Sequence, residues 1–204
     1  MQYMFYGYDP STKTIDLSKF YTSNVVNMTY MLYECDVDVI DLRSFDTANV
    51  TNMSHMFEEI SAKTIDISSF DTSKVTDMSC MFYNSSASDN IVLPSSFKTG
   101  NVTTMENMFY SFETKVLDLH NMTIAPDASE MFRACQAESI DLSGVDTSKV
   151  TDMSSMFNSC EIPVIDLDDM VLAPNVSEMF KGCKAESIDL SDVDSSKVTD
   201  MSNM

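Results

Sequence analysis

Residues 150–157 read V-T-D-M-S-S-M-F, and close copies of this motif return along the chain. The copies are V-T-N-M-S-H-M-F at 50–57, V-T-D-M-S-C-M-F at 75–82 and V-T-D-M-S-N-M at 198–204. The valine, the two methionines and the phenylalanine fall at i, i+3, i+6 and i+7. This spacing predicts one apolar face of a two-turn helix, with Thr151 as its N-cap and Asp152 at the positive end of its dipole.

A second motif, the triplet I-D-L, marks the period of the chain. The triplet or a close variant begins at Ile15, Ile40, Ile65, Ile91, Leu117, Ile140, Ile165 and Ile188. Its alternation of apolar and polar residues is typical of a very short strand, and the D-T-S-K that often follows has the chemistry of a turn. One such unit cannot bury its apolar face alone, whereas stacked copies can. The sequence therefore predicts a single repeat array over 1–204, built from about eight units of 23–27 residues.

The order strand, turn, short helix and return predicts an α/β repeat solenoid of the leucine-rich-repeat kind. We expect a right-handed coil with a parallel sheet of very short strands on one face and short helices on the other. Both ends of the chain fall inside the methionine motif, and neither carries the polar cap that a solenoid needs. The array is thus expected to be uncapped at both ends and to be an excerpt of a longer protein.

Composition excludes several classes of function. A net charge of -20 opposes binding to nucleic acid or to an anionic membrane surface. No apolar run approaches the roughly 18 residues of a membrane span, so we expect no membrane insertion within this segment. With four glycines there is no Gly-rich phosphate loop, and no cofactor is expected. Serine and aspartate recur as repeat consensus and neither histidine has a motif context, so the sequence predicts no enzyme.

The longer pattern F-D-T-S-K-V-T-D-M-S-S-M-F-x-x-C, with I-D-L ahead of it, resembles the methionine-rich 26-residue surface-protein repeat of the BspA-like leucine-rich-repeat family. The resemblance covers essentially the whole chain. The 23-residue units depart from it, as does the unit around 91–116, where Pro94, Lys98 and Gly100 replace the usual residues. The resemblance implies an extracellular or cell-surface protein of bacteria, mycoplasmas or protists, often engaged in adhesion or host-protein binding. It implies no catalytic residue.

The aspartates of the triplets are predicted to form an outward column on the strand face. The column consists of Asp16, Asp41, Asp66, Asp118, Asp141, Asp166 and Asp189. Carboxylates about 5 Å apart should raise one another's pKa unless cations or hydrogen-bond donors intervene, and Arg43 and His120 fall on the same face. The column is either a solvated surface bonded to neighbouring Ser and Thr or a calcium-binding or ligand-binding strip. The lack of glycine argues against calcium. This face is the predicted partner-binding surface.

Methionine and cysteine raise the question of a metal. The methionines of the motif could bind copper(I), but they share their face with Val and Phe and recur in nearly every unit, which favours core packing. Four of the five cysteines (Cys35, Cys135, Cys160 and Cys183) occupy one repeat position. Stacking would permit a disulfide, whereas an odd number of cysteines favours free buried thiols. No C-x-x-C pair is present, and no metal site is expected.

Seven N-x-S/T sequons are candidates for glycosylation if the source is a eukaryote that secretes the protein. Their asparagines are Asn27, Asn49, Asn52, Asn84, Asn101, Asn121 and Asn175.

Two functions remain open from the sequence. The first is a cell-surface or extracellular adhesion module that holds a protein or glycan partner on its strand face. The alternative is a structural protein that binds copies of itself and builds a filament, sheath or wall layer, because an uncapped solenoid can stack end to end.

Overall fold

The computed structural model describes residues 1–11, 13–94 and 97–204. Its strands are β1 (Val39–Asp41), β2 (Ser61–Asp66), β3 (Ser86–Val92), β4 (Glu113–Asp118), β5 (Gln136–Asp141), β6 (Val164–Asp166) and β7 (Ser187–Asp189). β1 to β5 form one parallel sheet in chain order, and β6 and β7 form a second parallel pair. Each of these strands contains or overlaps one copy of the I-D-L triplet.

Within each sheet, a strand pairs with the strand one repeat further along the chain. In the pairing of β1 with β2, Ile40 lies opposite Ile65, and Asp41 lies opposite Asp66. An isolated parallel bridge from Gln136 to Glu161 continues the stacking after β5. The chain is therefore a parallel β-solenoid, which confirms the predicted repeat solenoid.

The predicted fold class, an α/β solenoid of the leucine-rich-repeat kind with short helices on one face, is wrong. Among the described residues there is no α-helix, and the methionine motif forms successive β-turns instead. Alternate amides of the motif donate to carbonyls of the next coil rather than to carbonyls four residues earlier. In one coil the donor and acceptor residues are Met153 and Asn175 (2.9 Å), Ser155 and Ser177 (2.8 Å), and Phe157 and Met179 (2.9 Å).

Left-handed backbone conformations explain why no helix forms. Around each copy of the motif before the last, two residues four positions apart have a positive φ, one inside the motif and one just after it. Ser155 (φ 55°) and Ser159 (φ 59°) are one such pair. The other pairs without glycine are Tyr30 and Glu34, His55 and Glu59, Cys80 and Asn84, Asn107 and Ser111, and Glu130 and Ala134. A right-handed helix cannot include such residues. The hydrogen bonds between coils offset their cost, roughly 1–2 kcal/mol per non-glycine residue.

Two successive β-turns also account for the misleading spacing. Met156 donates its amide to the Met153 carbonyl, and Cys160 donates to the Phe157 carbonyl, so these four residues are the ends of two turns. All four side chains are buried. Turn ends therefore point inward at i, i+3, i+4 and i+7, which is also the spacing of one helix face.

Ala134 offers a test of this backbone, because its φ is 55°. We expect Ala134→Gly to raise the free energy of unfolding by up to about 1 kcal/mol, since glycine adopts positive φ without steric cost. In a helix the same change would lower it by about 1 kcal/mol. The matched control is Ala137→Gly in β5, which should lower it by roughly 0.5–1 kcal/mol. Urea denaturation of the three proteins measures both changes, and a loss of stability in Ala134→Gly would refute the left-handed assignment.

The interior is one continuous core between the strands and the turns. The methionines of the motif, such as Met153 and Met156, are buried, as the core-packing interpretation requires. A column of phenylalanine rings runs along the axis, with nearly parallel planes. Centroid distances are 5.1 Å for Phe57–Phe82, 5.3 Å for Phe82–Phe109, 5.7 Å for Phe109–Phe132, 5.2 Å for Phe132–Phe157 and 5.8 Å for Phe157–Phe180.

A buried threonine lies at the corner of several coils and joins neighbouring backbones. The Thr47 hydroxyl donates to the Asp71 carbonyl (3.1 Å) and accepts from the Asp71 amide (2.8 Å). Thr22 bonds to Asp46 in the same two ways. The buried hydroxyl thus gives hydrogen-bond partners to an amide and a carbonyl of the next coil.

The sheet is irregular between β3 and β4. Their pairing covers only Ser86 with Glu113 and Ala87 with Thr114, whereas β4 and β5 pair as far as Asp118 and Asp141. β3 belongs to the unit around 91–116 that departs from the repeat pattern. The carboxyl ends of β3 and β4 therefore diverge, and this divergence positions the candidate site.

Candidate functional site on the strand face

The structure brings the predicted aspartate column together. Strand pairing sets Asp41 beside Asp66, Asp118 beside Asp141, and Asp166 beside Asp189. Asp16, the first member, is also exposed, and Asp66 alone in the column is half-buried. Val92 pairs with Asp66 and interrupts the row. Six of the seven column aspartates are thus exposed on the strand face.

Each aspartate of the column accepts a hydrogen bond from the backbone amide two residues further on. The pairs are Asp16–Ser18 (2.9 Å), Asp41–Arg43 (3.1 Å), Asp66–Ser68 (3.0 Å), Asp118–His120 (3.2 Å), Asp141–Ser143 (2.9 Å), Asp166–Asp168 (3.0 Å) and Asp189–Ser191 (2.9 Å). Such turns end the strand and need no ligand. The column by itself therefore has a structural explanation.

Donors rather than mutual repulsion set the ionisation of several column members. The hydroxyl and the amide of the serine two positions on lower the pKa of Asp16, Asp141 and Asp189 from its ordinary value. Repulsion between carboxylates affects the pKa of Asp168, which lies beside the column. Desolvation raises the pKa of this carboxyl first, and neighbouring aspartates, beginning with Asp166, raise it further.

Arg43 offsets the repulsion between two column carboxylates, and its effect on stability should depend on pH. Its guanidinium lies 2.6 Å from Asp41 and 3.5 Å from Asp66, and it lowers the pKa of Asp41 to about 2. A depressed folded-state pKa contributes stability above the unfolded value of 3.8, and this contribution is lost as pH falls through the folded value.

We expect Arg43→Gln to lower the free energy of unfolding at pH 6 only slightly, because both partners are well exposed and solvent screens their attraction. The difference from the parent protein should disappear as the pH falls to about 2. Chemical denaturation at several pH values measures it. A difference that is the same at every pH would rule out this ion pair as its source.

A cleft opens where the ends of β3 and β4 diverge. Its volume is about 360 Å³, and its mostly apolar lining is interrupted by three polar residues, Asn90 on the β3 side and Asp118 and His120 on the β4 side. The apolar residues that line it are Ile91, Val92, Leu93, Pro94, Phe97, Val116, Leu119 and Met122. A second cavity of about 610 Å³ shares Phe97 and His120 with it. The cleft is not predicted by the repeat pattern, although Val92 in the aspartate row and the irregular unit around 91–116 both mark its place.

His120 and Asp118 form a hydrogen-bonded ionisable pair in the cleft. Its Nδ1 lies 2.5 Å from an Asp118 carboxylate oxygen, and this hydrogen bond, together with the charge of Asp118, raises the pKa of the imidazole. Asp141 lies on the other side, on the neighbouring strand. One ligand atom from each of these three exposed side chains lies within 4.8 Å of the other two.

The asparagines of the sequons lie in two environments. Asn49, Asn84, Asn101 and Asn121 are exposed, whereas Asn27, Asn52 and Asn175 are half-buried. The last three belong to a ladder of parallel bridges along the turns. In that ladder the Asn52 amide nitrogen donates to Asp77 (3.0 Å) and that of Asn175 to Asp152 (3.2 Å). A glycan on either nitrogen would break these bonds.

The cysteines are free thiols, largely enclosed by the core. Burial raises the pKa of Cys35 to about 11 and those of Cys80 and Cys135 to about 12. The Cys160 and Cys183 sulfurs, on neighbouring coils, lie 3.3 Å apart. Thiols with such a raised pKa are weak nucleophiles at neutral pH.

Within the described residues, no helical segment has the length and apolar character that a bilayer crossing requires.

Comparisons place the chain in a family. Neither a search of curated proteins nor a search of solved structures found a match. The family model described as "Mycoplasma protein of unknown function, DUF285" matches residues 1–122, 88–170 and 126–204, which together span the chain. This protein therefore belongs to the DUF285 family.

Proposed function

We propose that this chain is a non-enzymatic recognition module of an extracellular or cell-surface protein, which binds a protein or glycan partner on its strand face. The observation that carries the proposal is the cleft between β3 and β4. There, apolar side chains and an imidazole are open to solvent on a face that otherwise presents carboxylates. A concave apolar site with a few convergent polar groups is the usual form of a binding site.

The regularity of the other coils supports this choice. Each column aspartate already accepts a hydrogen bond from a backbone amide of its own turn. The column therefore contributes to partner binding mainly through the electrostatic field of its negative charges. With a net charge of -20, the module should attract partners that present basic or hydroxyl groups and repel acidic ones. The resemblance to BspA-like repeats also supports adhesion at a cell surface.

Two exposed valines allow a matched test. Val116 lines the cleft, and Val164 outside it stands at the same place, one residue before the triplet; they are 48% and 56% exposed. Beads that carry the chain are incubated with cultured host cells, and bound cells are counted. We expect Val116→Asp to reduce adhesion about 10-fold, which corresponds to about 1.4 kcal/mol, and Val164→Asp to leave it unchanged. Protease or glycosidase treatment of the cells then identifies the class of partner.

Equal adhesion of the two variants would reject the cleft as the binding site. Absence of adhesion by the parent protein would reject the recognition module itself. If electron microscopy also showed ordered fibres of the chain, the structural alternative of a filament or wall layer would replace it.

A further inference from the structure

The carboxyl ends of β4 and β5 bring together three side chains of metal-ligand type. Asp118 ends β4, His120 lies in the turn that follows, and Asp141 ends β5; one ligand atom from each lies within 4.8 Å of the others. Among the described residues, this is the one group of three such side chains with that spacing. We propose that Asp118, His120 and Asp141 bind a divalent transition-metal ion of the Zn²⁺ class.

The scaffold beneath the triad is fixed by strand pairing. Leu117 pairs with Ile140 and Asp118 with Asp141, so the two carboxylates stand side by side on neighbouring strands. The Ser143 amide holds the Asp141 carboxylate at 2.9 Å, and the Leu119 amide donates to the Asp141 carbonyl at 2.9 Å. Two of the ligands therefore end paired strands, and His120 lies in the turn after β4, where its amide donates to the Asp118 carboxylate at 3.2 Å. Little backbone entropy is lost when an ion binds to positions held in this way.

The coils of β1 and β2 show that paired column aspartates accommodate a cationic group at the corresponding position. At the ends of β1 and β2, Arg43 takes the position that His120 takes after β4. Its guanidinium approaches the carboxylates of both coils, at 2.6 Å from Asp41 and 3.5 Å from Asp66. His120 instead contacts Asp118 at 2.5 Å, with Asp141 beyond it. An imidazole can be neutral, and a neutral imidazole is a metal ligand that a guanidinium cannot be.

The donor set selects the class of ion. One imidazole nitrogen and two carboxylate oxygens suit zinc and its neighbours, whereas calcium and magnesium prefer oxygen donors and more of them. Three protein ligands leave a coordination position for water or a partner's side chain, next to the cleft that Asp118 and His120 line. With Zn–N and Zn–O bonds of about 2.0 Å, the ligand atoms of a tetrahedral site lie roughly 3.3 Å from one another. Rotation of exposed side chains is enough to close the triad.

The test uses the whole chain and Zn²⁺ as the probe. Titration calorimetry of the metal-free protein with zinc chloride should show one saturable site, and Co²⁺ should give the absorption bands of a low-coordinate ion. His120→Ser restores the serine that several coils carry here, so the variant should fold normally. We expect it to weaken Zn²⁺ binding at least 10-fold, as loss of a ligand-supporting group typically does. The matched control is His55→Ser, which changes the other histidine, in the methionine motif at 50–57. This variant should bind Zn²⁺ as tightly as the parent does.

Thermal denaturation gives a second measurement. Zn²⁺ that binds the folded state alone raises the Tm of the parent protein and of His55→Ser, but not that of His120→Ser. The proposal is overturned if neither Zn²⁺ nor Co²⁺ binds saturably, or if His120→Ser binds as tightly as the parent, which would indicate diffuse binding to the acidic surface. These measurements need no cell-surface partner, so their outcome is independent of the adhesion assay.

Discussion

Phe109→Ala should lower the free energy of unfolding by about 3–5 kcal/mol, the largest effect we expect from a single substitution in this chain. Phe109 is fully buried, and its ring stacks between Phe82 (5.3 Å) and Phe132 (5.7 Å), with Phe112 beside it at 5.6 Å. Alanine leaves a cavity that these fixed rings cannot fill. Each coil is stabilised mainly by its neighbours, so the loss weakens the contacts on both sides.

Tyr110 is the matched control, since it follows directly in sequence but faces outward. Its ring stacks on Tyr83 at 4.6 Å, and the Arg133 guanidinium lies 5.7 Å from its centroid. Tyr110→Ala should cost roughly 0.5–1.5 kcal/mol. Urea denaturation measures both variants, and Phe109→Leu provides a milder variant if Phe109→Ala does not fold. Equal losses at Phe109 and Tyr110 would show that the ring column is not the core.

Thr47→Val should lower the free energy of unfolding by about 2 kcal/mol although valine has nearly the same shape. The Thr47 side chain is buried, and its hydroxyl makes two bonds with the Asp71 backbone, as donor (3.1 Å) and as acceptor (2.8 Å). Valine leaves the Asp71 amide and carbonyl without these partners. An unsatisfied buried group costs about 1–3 kcal/mol, whereas a group that reaches water costs little.

Thr76→Val is the control for the lost hydroxyl. The Thr76 side chain is exposed, and its hydroxyl donates to the Thr51 carbonyl at 3.1 Å, where water can replace it. We expect a change within about 0.5 kcal/mol. If the two valine variants were equally stable, the buried hydroxyls would not join the coils in the way described.

Much of the solenoid was predictable because it depends on local alternation. The triplet correctly placed Ile40 and Leu42 in the core and Asp41 outside, and the repeat spacing predicted which coils stack. The helices were not predictable from apolar spacing, because the ends of two β-turns and one helix face give the same positions. Glycine and asparagine at the positive-φ positions, as at Gly182 and Asn84, were the available sign of left-handed turns.

The candidate site was predictable only in part. The triplets predicted the outward aspartates, and the sequence placed His120 on the same face. The cleft depends on how far β3 and β4 diverge, which no local pattern encodes. Likewise, Asp141 belongs to the repeat after that of His120, and only the pairing of β4 with β5 brings them together.

The central claim is that the methionine motif hydrogen-bonds between coils and not within a helix. The most direct measurement is the NMR scalar coupling across hydrogen bonds, which links an amide nitrogen to the carbonyl carbon of its acceptor. We predict a cross-peak from the Ser155 nitrogen to the Ser177 carbonyl, whose oxygen lies 2.8 Å from that nitrogen. A cross-peak from Ser155 to the Thr151 carbonyl, four residues earlier, would show a helix and contradict the fold described here.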